Sequence, residues 1–296
     1  MDAALAIDLG ASKFACGLVD DEGSVLMRRQ VTVESSMDAE ALFDQLRDVV
    51  GAVLRQAAAV DAPIAVCGLA AAGPITPGCE SVSPLNLPGW RDFPLRARLA
   101  ELTGLTVVGD LDTKALALGE GWAGAAVGVT DYLAMVVSTG VGGGIVLDGR
   151  LLEGGTGNAG HIGHVIVVPD GRVCACGAYG CLEAEASGPA IEAVTGRAAA
   201  DANPAIIERT GRLVGRAVAS VVNALDLGLT VVAGSVALGF GDPFFAAAQA
   251  ELDLNCRLGG RRRPEIRPAG LGADASLVGA AAVGWRAVGR LALPGR

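Results

Sequence analysis

The sequence predicts an α/β protein built as two α/β domains facing one another across a cleft, with a zinc-bound loop in the second. Three observations predict it. Strands and helices alternate in two successive sets, each opening on antiparallel strands joined by a glycine turn. Two of those turns, AIDLGASK and STGVGGG, leave backbone bare for an anion. A segment after the second turn gathers one histidine and three cysteines, a full ligand set for a structural zinc ion. No low-complexity linker separates the sets, so a hinge is expected between them.

In chain order, residues 3–33 read as three successive strands, ALAIDLG, KFACGLVD and SVLMRRQVTV, with DDEG as the last turn. From 38 to 59, Ala41, Leu42, Leu46, Val49, Val50, Val53 and Leu54 recur at helical spacing behind Asp38 as the cap. IAVCGLAAAG reads as a buried strand running into a glycine turn, LTVVGD as a strand stopping at Asp110, and TKALALGEGW as the helix that follows. Residues 131–147 give two strands joined by a glycine-rich hairpin. HIGHVIVV reads as loop then strand, IIERTGRLVGRAVASVVNALD as an amphipathic helix, and LTVVAG as a short strand.

The chain of 296 residues has room for two domain cores, and 51% hydrophobic against 19% charged residues describes a globular protein rather than a disordered one. A net charge of −9 opposes binding to duplex DNA, whose phosphates need lysine and arginine, so no nucleic-acid partner is expected. Arg261, Arg262 and Arg263 read as a solvated loop. The longest apolar stretch, around 214–241, is cut by Asn223 and Asp226, so no membrane partner is expected either. Cys16, Cys67, Cys79 and Cys256 are scattered singly, and MDAALAIDLG lacks the basic region and cleavage site of a signal peptide. A reduced cytoplasm is the expected location.

His164, Cys174, Cys176 and Cys181 form the candidate zinc set. One imidazole and three thiolates close a tetrahedron and leave no position for water, so the metal would hold a fold rather than hydrolyse a substrate. Buried small hydrophobes, or a disulfide in an exported protein, are the other readings; clustering with His164 favours metal. His161, three residues earlier, is expected to face the same cavity. In the first loop Asp8 ends a strand, Gly10 makes the turn, and Ser12 and Lys13 follow. That turn can aim amides at a phosphate while Asp8 holds a hydrated magnesium ion, although a plain polar hairpin looks the same. The run Ser138 to Gly144 adds four glycines and a hydroxyl pair, with a tight hairpin as the alternative. There is no Walker A loop, and Gly155 to Gly160 matches GxGxxG without opening a helix after a strand, so NAD is rejected.

Taken in order, these residues resemble the ROK family of sugar kinases, within the hexokinase and actin-like superfamily. The likeness runs through Asp8 to Lys13, GLAAAGPI, PLNLPGW with Asn86, DLDTKALALGE, STGVGGG, HIGH with CxCGxxGC and Glu183, and the closing LGADASLVGAA. It implies two actin-like (ribonuclease H-like) domains: a small one over 1–111, completed by a C-terminal helix at about 284–296, and a large one over 112–283 with the zinc motif. ATP with Mg2+ and a structural Zn2+ are the implied cofactors, and a homodimer the implied assembly. Asp8, Gly10, Ala11, Ser12, Lys13, Thr139, Gly140, Val141 and Gly142 would lie near the phosphates, and the Gly234 turn of VVAGSVA near the adenosine. Asp112 maps to the base, and a carboxylate in reach of a hydroxyl accepts its proton as the oxygen attacks the γ-phosphorus. A helix N-cap is the ordinary reading of an aspartate so placed. Leu111, His161, His164, Glu183 and Asn86 would line the acceptor pocket.

The departures bear on the acceptor. The family asparagine before the base is Leu111 here, and the glutamate of the family AGExGH motif is His161. Losing designed hydrogen bonds changes selectivity by orders of magnitude. The small-molecule acceptor is thus expected to be a hexose or hexose-like polyol, with an atypical one such as a C7-cyclitol or an N-acylhexosamine as the alternative. Ala11 and Ser12 replace a glycine and a threonine, and GSV at 234–236 replaces a glycine run. Repressors of the family look to carry a helix-turn-helix ahead of the first loop; only seven residues precede Asp8, so an enzyme is expected over a sugar-responsive regulator.

Overall fold

The apolar stretches at the N-terminus pair as a meander in the computed structural model, which describes residues 2–10, 12–58, 62–258 and 263–295. Strands β1 (Ala3–Leu9), β2 (Lys13–Asp20) and β3 (Val25–Thr32) run antiparallel. Helix α1 (Ala39–Ala57) begins where the Asp38 carboxylate accepts the Ala41 N–H at 2.8 Å, the cap its sequence announces. Then come β4 (Ile64–Ala71), α2 (Leu95–Thr103), β5 (Val107–Leu111) and α3 (Asp112–Ala123). Both later strands add parallel to β1, giving the order β3-β2-β1-β4-β5. Leu5, Ile7, Leu9 and Phe14 bury one face of this sheet with Leu42, Leu46 and Val50 of α1.

The chain folds as two compact units: residues up to 127 with 153–158 and 271–293, and residues 128–152 with 159–270 and 294 onward. The division expected at 111/112 instead falls inside the first unit, at the junction of β5 and α3. The reason is α9 (Ala275–Ala287), which packs on α3 and β4 at backbone distance. A Cβ on Gly68 of β4 would stand 1.9 Å from the Ala280 carbonyl, and one on Gly279 would stand 2.7 Å from that of Ala115. Only glycine allows either contact, which accounts for the small residues of LGADASLVGAA. The C-terminal helix expected at about 284–296 is this α9, starting earlier and stopping before Gly289, whose φ is +74°.

The second unit contains β6 (Tyr132–Val137), β7 (Val141–Leu147), β8 (Arg150–Leu151), α4 (Leu182–Ala186), α5 (Gly188–Thr195), α6 (Pro204–Leu225), β9 (Leu229–Ala233), α7 (Ser235–Phe240), α8 (Asp242–Asn255) and β10 (Glu265–Pro268). Its sheet has the order β10-β9-β6-β7-β8, with β9 parallel to both neighbours and β6, β7 and β8 antiparallel. Leu133 and Met135 meet Val214, Val218, Phe244 and Leu252 in its core. Each unit is therefore an α/β layer structure. Among the described residues, no helix is long and apolar enough to cross a membrane.

Two local expectations are corrected. VIVV does not form a strand: a 3-10 turn at Ile162–His164 leads into one isolated bridge, Ile166 with Cys181, and the Val167 N–H donates to Gly180. The segment wraps around the cysteines instead of lying along a sheet edge. The STGVGGG hairpin turn is also shorter than expected, since only Ser138–Gly140 turn and Gly142–Gly144 pair within β7. Arg263 is exposed and bonded to Asp253, as a solvated side chain should be, while Arg261 and Arg262 lie outside the described residues.

Candidate active site and metal centre

In the first unit, the ends of two parallel strands bring carboxylates together. Asp8 ends β1 and is buried, with Ser276 hydrogen-bonded to it. Desolvation raises its carboxyl above the ordinary value, against the opposing pull of Ser276, Lys13 and Arg28. The Gly10 N–H is spent on the Lys13 carbonyl at 3.1 Å, closing the turn, which leaves the exposed Ser12 and Lys13 side chains to meet an anion. Ala11 lies outside the described residues.

Asp112 follows β5. The N-cap position of α3 belongs to Leu111, which offers no side-chain bond, and Asp112 stands in the first turn with Oδ1 accepting the Thr113 N–H at 2.7 Å. The helix-cap alternative therefore does not account for this aspartate. Its side chain reaches solvent, yet surrounding protein desolvates the carboxyl and pushes it up to about 6, with the Asp8 carboxylate adding to the shift. Leu111 is 4% exposed and packs on Gly73, where a Cβ would stand 2.8 Å from its Cδ2. Asn86 sits exposed in a turn. The structure thus associates Asp8 with Asp112, hides Leu111 and leaves Asn86 on the surface.

Sequence reasoning passed over Lys114, one turn into α3. Its side chain is 1% exposed, and its ammonium donates to Asp110 Oδ1 at 2.9 Å, to Glu153, and to the Gly157 carbonyl at 3.2 Å. Burial raises the Asp110 carboxyl while Lys114 holds it down. The spacing of four between Asp110 and Lys114 was the available signal.

In the second unit, the glycines of β7 let another segment lie directly on the strand. A Cβ on Gly160 would stand 2.1 Å from the Gly143 carbonyl, one on Gly163 equally close to that of Val141, and the Gly143 N–H donates to Gly160 at 2.9 Å. This contact lays the segment that carries His161 and His164 along β7. Thr139 is exposed at the Ser138–Gly140 turn, Gly140 and Gly142 are half-buried, and Val141 is buried. Glu183 reaches the same place from α4, its Oε2 accepting the Val141 N–H at 2.9 Å. Gly234, at φ +101°, presses on Val137, and Ser235 Oγ meets Ser138 Oγ at 2.9 Å, so the VVAGSVA turn adjoins the Ser138–Gly140 turn. Desolvation, then the neighbouring His164, draws His161 below its ordinary value.

The candidate ligand atoms of His164, Cys174, Cys176 and Cys181 lie within 4.8 Å of one another. Cys174 Sγ is 3.6 Å from His164 Nδ1, and Cys176 Sγ is 3.7 Å from Cys181 Sγ. A zinc–sulfur bond of about 2.3 Å makes the edge of a thiolate tetrahedron about 3.8 Å, so the set has the size zinc requires. Burial and the neighbouring thiols push Cys181 up to about 12. Those distances exceed any disulfide bond, and the cysteines are free.

A second fastener went unread in the sequence. Glu185, 3% exposed on α4, accepts the Arg172 N–H at 2.8 Å and the Arg209 guanidinium at 2.6 Å, while Arg172 also donates to the Ala190 carbonyl. The cysteine loop is thereby tied to α5 and α6 independently of its ligand atoms.

With this geometry in view, the comparisons are direct. The ROK family model matches residues 4–286. An N-acetylmannosamine kinase of Citrobacter koseri is 37% identical over 252 residues, 80% of this chain and 84% of that protein. The ROK hexokinase of Thermus thermophilus matches with a TM-score of 0.83 and 33% identity over 97% of this chain and 99% of that one. A ROK family glucokinase of Streptomyces griseus, solved with glucose and AMPPNP, matches with a TM-score of 0.81 and 27% identity over 96% and 99%. The chain belongs to the ROK family. It is a carbohydrate kinase of that type, a phosphotransferase with an alcohol group as acceptor.

Proposed function

We propose that the enzyme transfers the γ-phosphoryl group of ATP to a hydroxyl of an N-acylhexosamine, with Asp112 as general base. The observation that carries the catalytic part is the Asp112 carboxyl itself, open to solvent, oriented by Thr113 and raised to about 6. At pH 7 such a group is about ten-to-one ionised, yet binds a proton more strongly than an ordinary aspartate. With Oδ1 committed to the Thr113 amide, Oδ2 faces the acceptor hydroxyl, takes its proton as the oxygen attacks the γ-phosphorus, and ADP leaves. Asp8 supplies the oxygen donor a magnesium ion favours, and that ion, when bound, offsets charge on the phosphates. Ser12, Lys13 and the Thr139–Gly142 turn would face the phosphates, and the Gly234 turn the adenosine.

His164, Cys174, Cys176 and Cys181 would hold one structural zinc ion, which cross-links the loop carrying His161 to the segment leading into Glu183. His161 and Glu183 would line the acceptor pocket, and the working assembly is read as a homodimer in the cytoplasm. The N-acyl preference rests on the N-acetylmannosamine kinase relatives. Measuring ADP release over N-acetylmannosamine, N-acetylglucosamine, glucose, fructose and a cyclitol tests it. N-acetylmannosamine should give the highest kcat/KM; a clear preference for glucose or the cyclitol would overturn the acceptor, and turnover of none would overturn the reaction.

A further inference from the structure

The Lys114 ammonium stands in the wall of a cavity that takes no part in the proposed transfer. The cavity, of about 530 Å3, lies wholly within the first unit, at the edge strand β5, and is lined by Asp110, Lys114, Glu153, Thr156, Val283 and Arg286 among others. Neither Asp8 nor Asp112 lines it. Its carboxylates are held unequally. Asp110 pairs with Lys114 at 2.9 Å, and both side chains are sheltered, at 14% and 1% exposure. Glu153 is 49% exposed and spans two cations, with Oε2 on Lys114 and Oε1 on Arg286 at 3.3 Å. An ion pair so exposed contributes little, so a second anion can take the place of Glu153 at small cost. Glu153 also heads an open strap: Gly154, Gly155 and Thr156 are exposed, and a Cβ on Gly155 or Gly157 would meet no atom within 4 Å. The Gly155–Gly160 run that matches GxGxxG begins in this strap.

With Glu153 turned to solvent, the cavity sets two cations, Lys114 and Arg286, against the single Asp110 carboxylate. A phosphoryl group carries about two negative charges at neutral pH and accepts several hydrogen bonds, so it answers both cations better than one carboxylate does. The Thr156 hydroxyl, which accepts from Asn158 at 3.3 Å, keeps its proton to donate, and Val283 adds an apolar wall. We propose that this cavity is a second, non-catalytic binding site for a small phosphoryl anion, a phosphorylated sugar or inorganic phosphate. Lys114 and Arg286 are its cations, and Glu153 is the tethered carboxylate that the ligand displaces. Such a ligand binds without competing with nucleotide or acceptor.

The test is calorimetric titration of glucose 6-phosphate and of inorganic phosphate into the full chain, with Mg·AMPPNP and N-acetylmannosamine present to occupy the reaction site. Wild type, Arg286→Leu and Glu153→Gln are compared in low-salt buffer. Binding should weaken about tenfold in Arg286→Leu, which loses a charge-assisted hydrogen bond. It should tighten about threefold in Glu153→Gln, which lacks the competing charge. AMPPNP affinity should be the same in all three proteins. Tighter binding of glucose 6-phosphate makes the ligand an ester, and tighter binding of inorganic phosphate makes it the free ion. No binding of either probe to wild type overturns the site. Binding that both variants leave unchanged, or that Glu153→Gln weakens, overturns it too, because the anion then sits elsewhere. Glu153→Gln is nearly isosteric and decides alone should Arg286→Leu fail to fold.

Discussion

Two regions hold candidate catalytic side chains by different means. The β5–α3 junction, which presents Asp112, is fixed by a fully buried ammonium between two carboxylates and a carbonyl. The histidine–cysteine loop, which presents His161 and leads into Glu183, is fixed by glycine contacts on β7 and by the Glu185 network, with the four proposed zinc donors gathered beside them. The first arrangement stores charge inside the protein, so it fails when one partner is removed. The second spreads the task over contacts that are each replaceable. Precise placement therefore comes from one irreplaceable cation in one unit and from redundancy in the other.

The sharpest way to break this contrast is at the two anchors. Lys114→Met leaves Asp110 buried without its cation, and a loss of about 3–5 kcal/mol is expected in urea unfolding. Glu153 is half exposed and contributes little to that figure. Loss under 1 kcal/mol would mean that the ammonium is dispensable. Chelation at the other anchor should act more gently. Elemental analysis should find one zinc per chain, and its removal should lower the melting midpoint by about 5–10 °C with the α/β circular dichroism retained, since Glu185 still ties the loop down. Complete unfolding without metal would show that the redundancy is not real.

Legibility in the sequence followed the range of the interactions. The meander, the Asp38 cap and the strand–helix alternation depend on neighbours within a turn or a hairpin, and they read correctly. The clustering of His164, Cys174, Cys176 and Cys181 was legible because these residues are close in the chain and chemically distinctive. Gly142–Gly144 were misassigned to a loop because their reason is the packing of Gly160 and Gly163 on β7, a contact that no local pattern announces. VIVV looked like a strand because hydrophobicity alone does not say whether a sheet edge is there to receive it. Lys114 was missed because Glu153 and Gly157 come from a distant loop, and a lysine on a helix is ordinarily solvated. Leu111 was placed in the acceptor pocket by resemblance, whereas packing on Gly73 buries it.

A smaller effect sharpens the account of the first region. The proposed base Asp112 works only when ionised, and its carboxyl is raised, so activity is expected to be full above the shifted value and lost as pH falls through it. The kcat/KM profile should fall about tenfold per pH unit below about 6. An aspartate at the ordinary 3.8 would keep the profile flat to below pH 5.

The central assignment is that Asp112 takes the proton from the acceptor hydroxyl. Asp112→Asn keeps the size of the side chain and the oxygen that accepts the Thr113 N–H, and removes the proton acceptor. Steady-state ADP release with N-acetylmannosamine, run beside AMPPNP titration of the same protein, should show kcat lowered by about 10²- to 10⁴-fold with nucleotide affinity unchanged. A variant with near-normal kcat would contradict the assignment and reduce Asp112 to a first-turn helix residue.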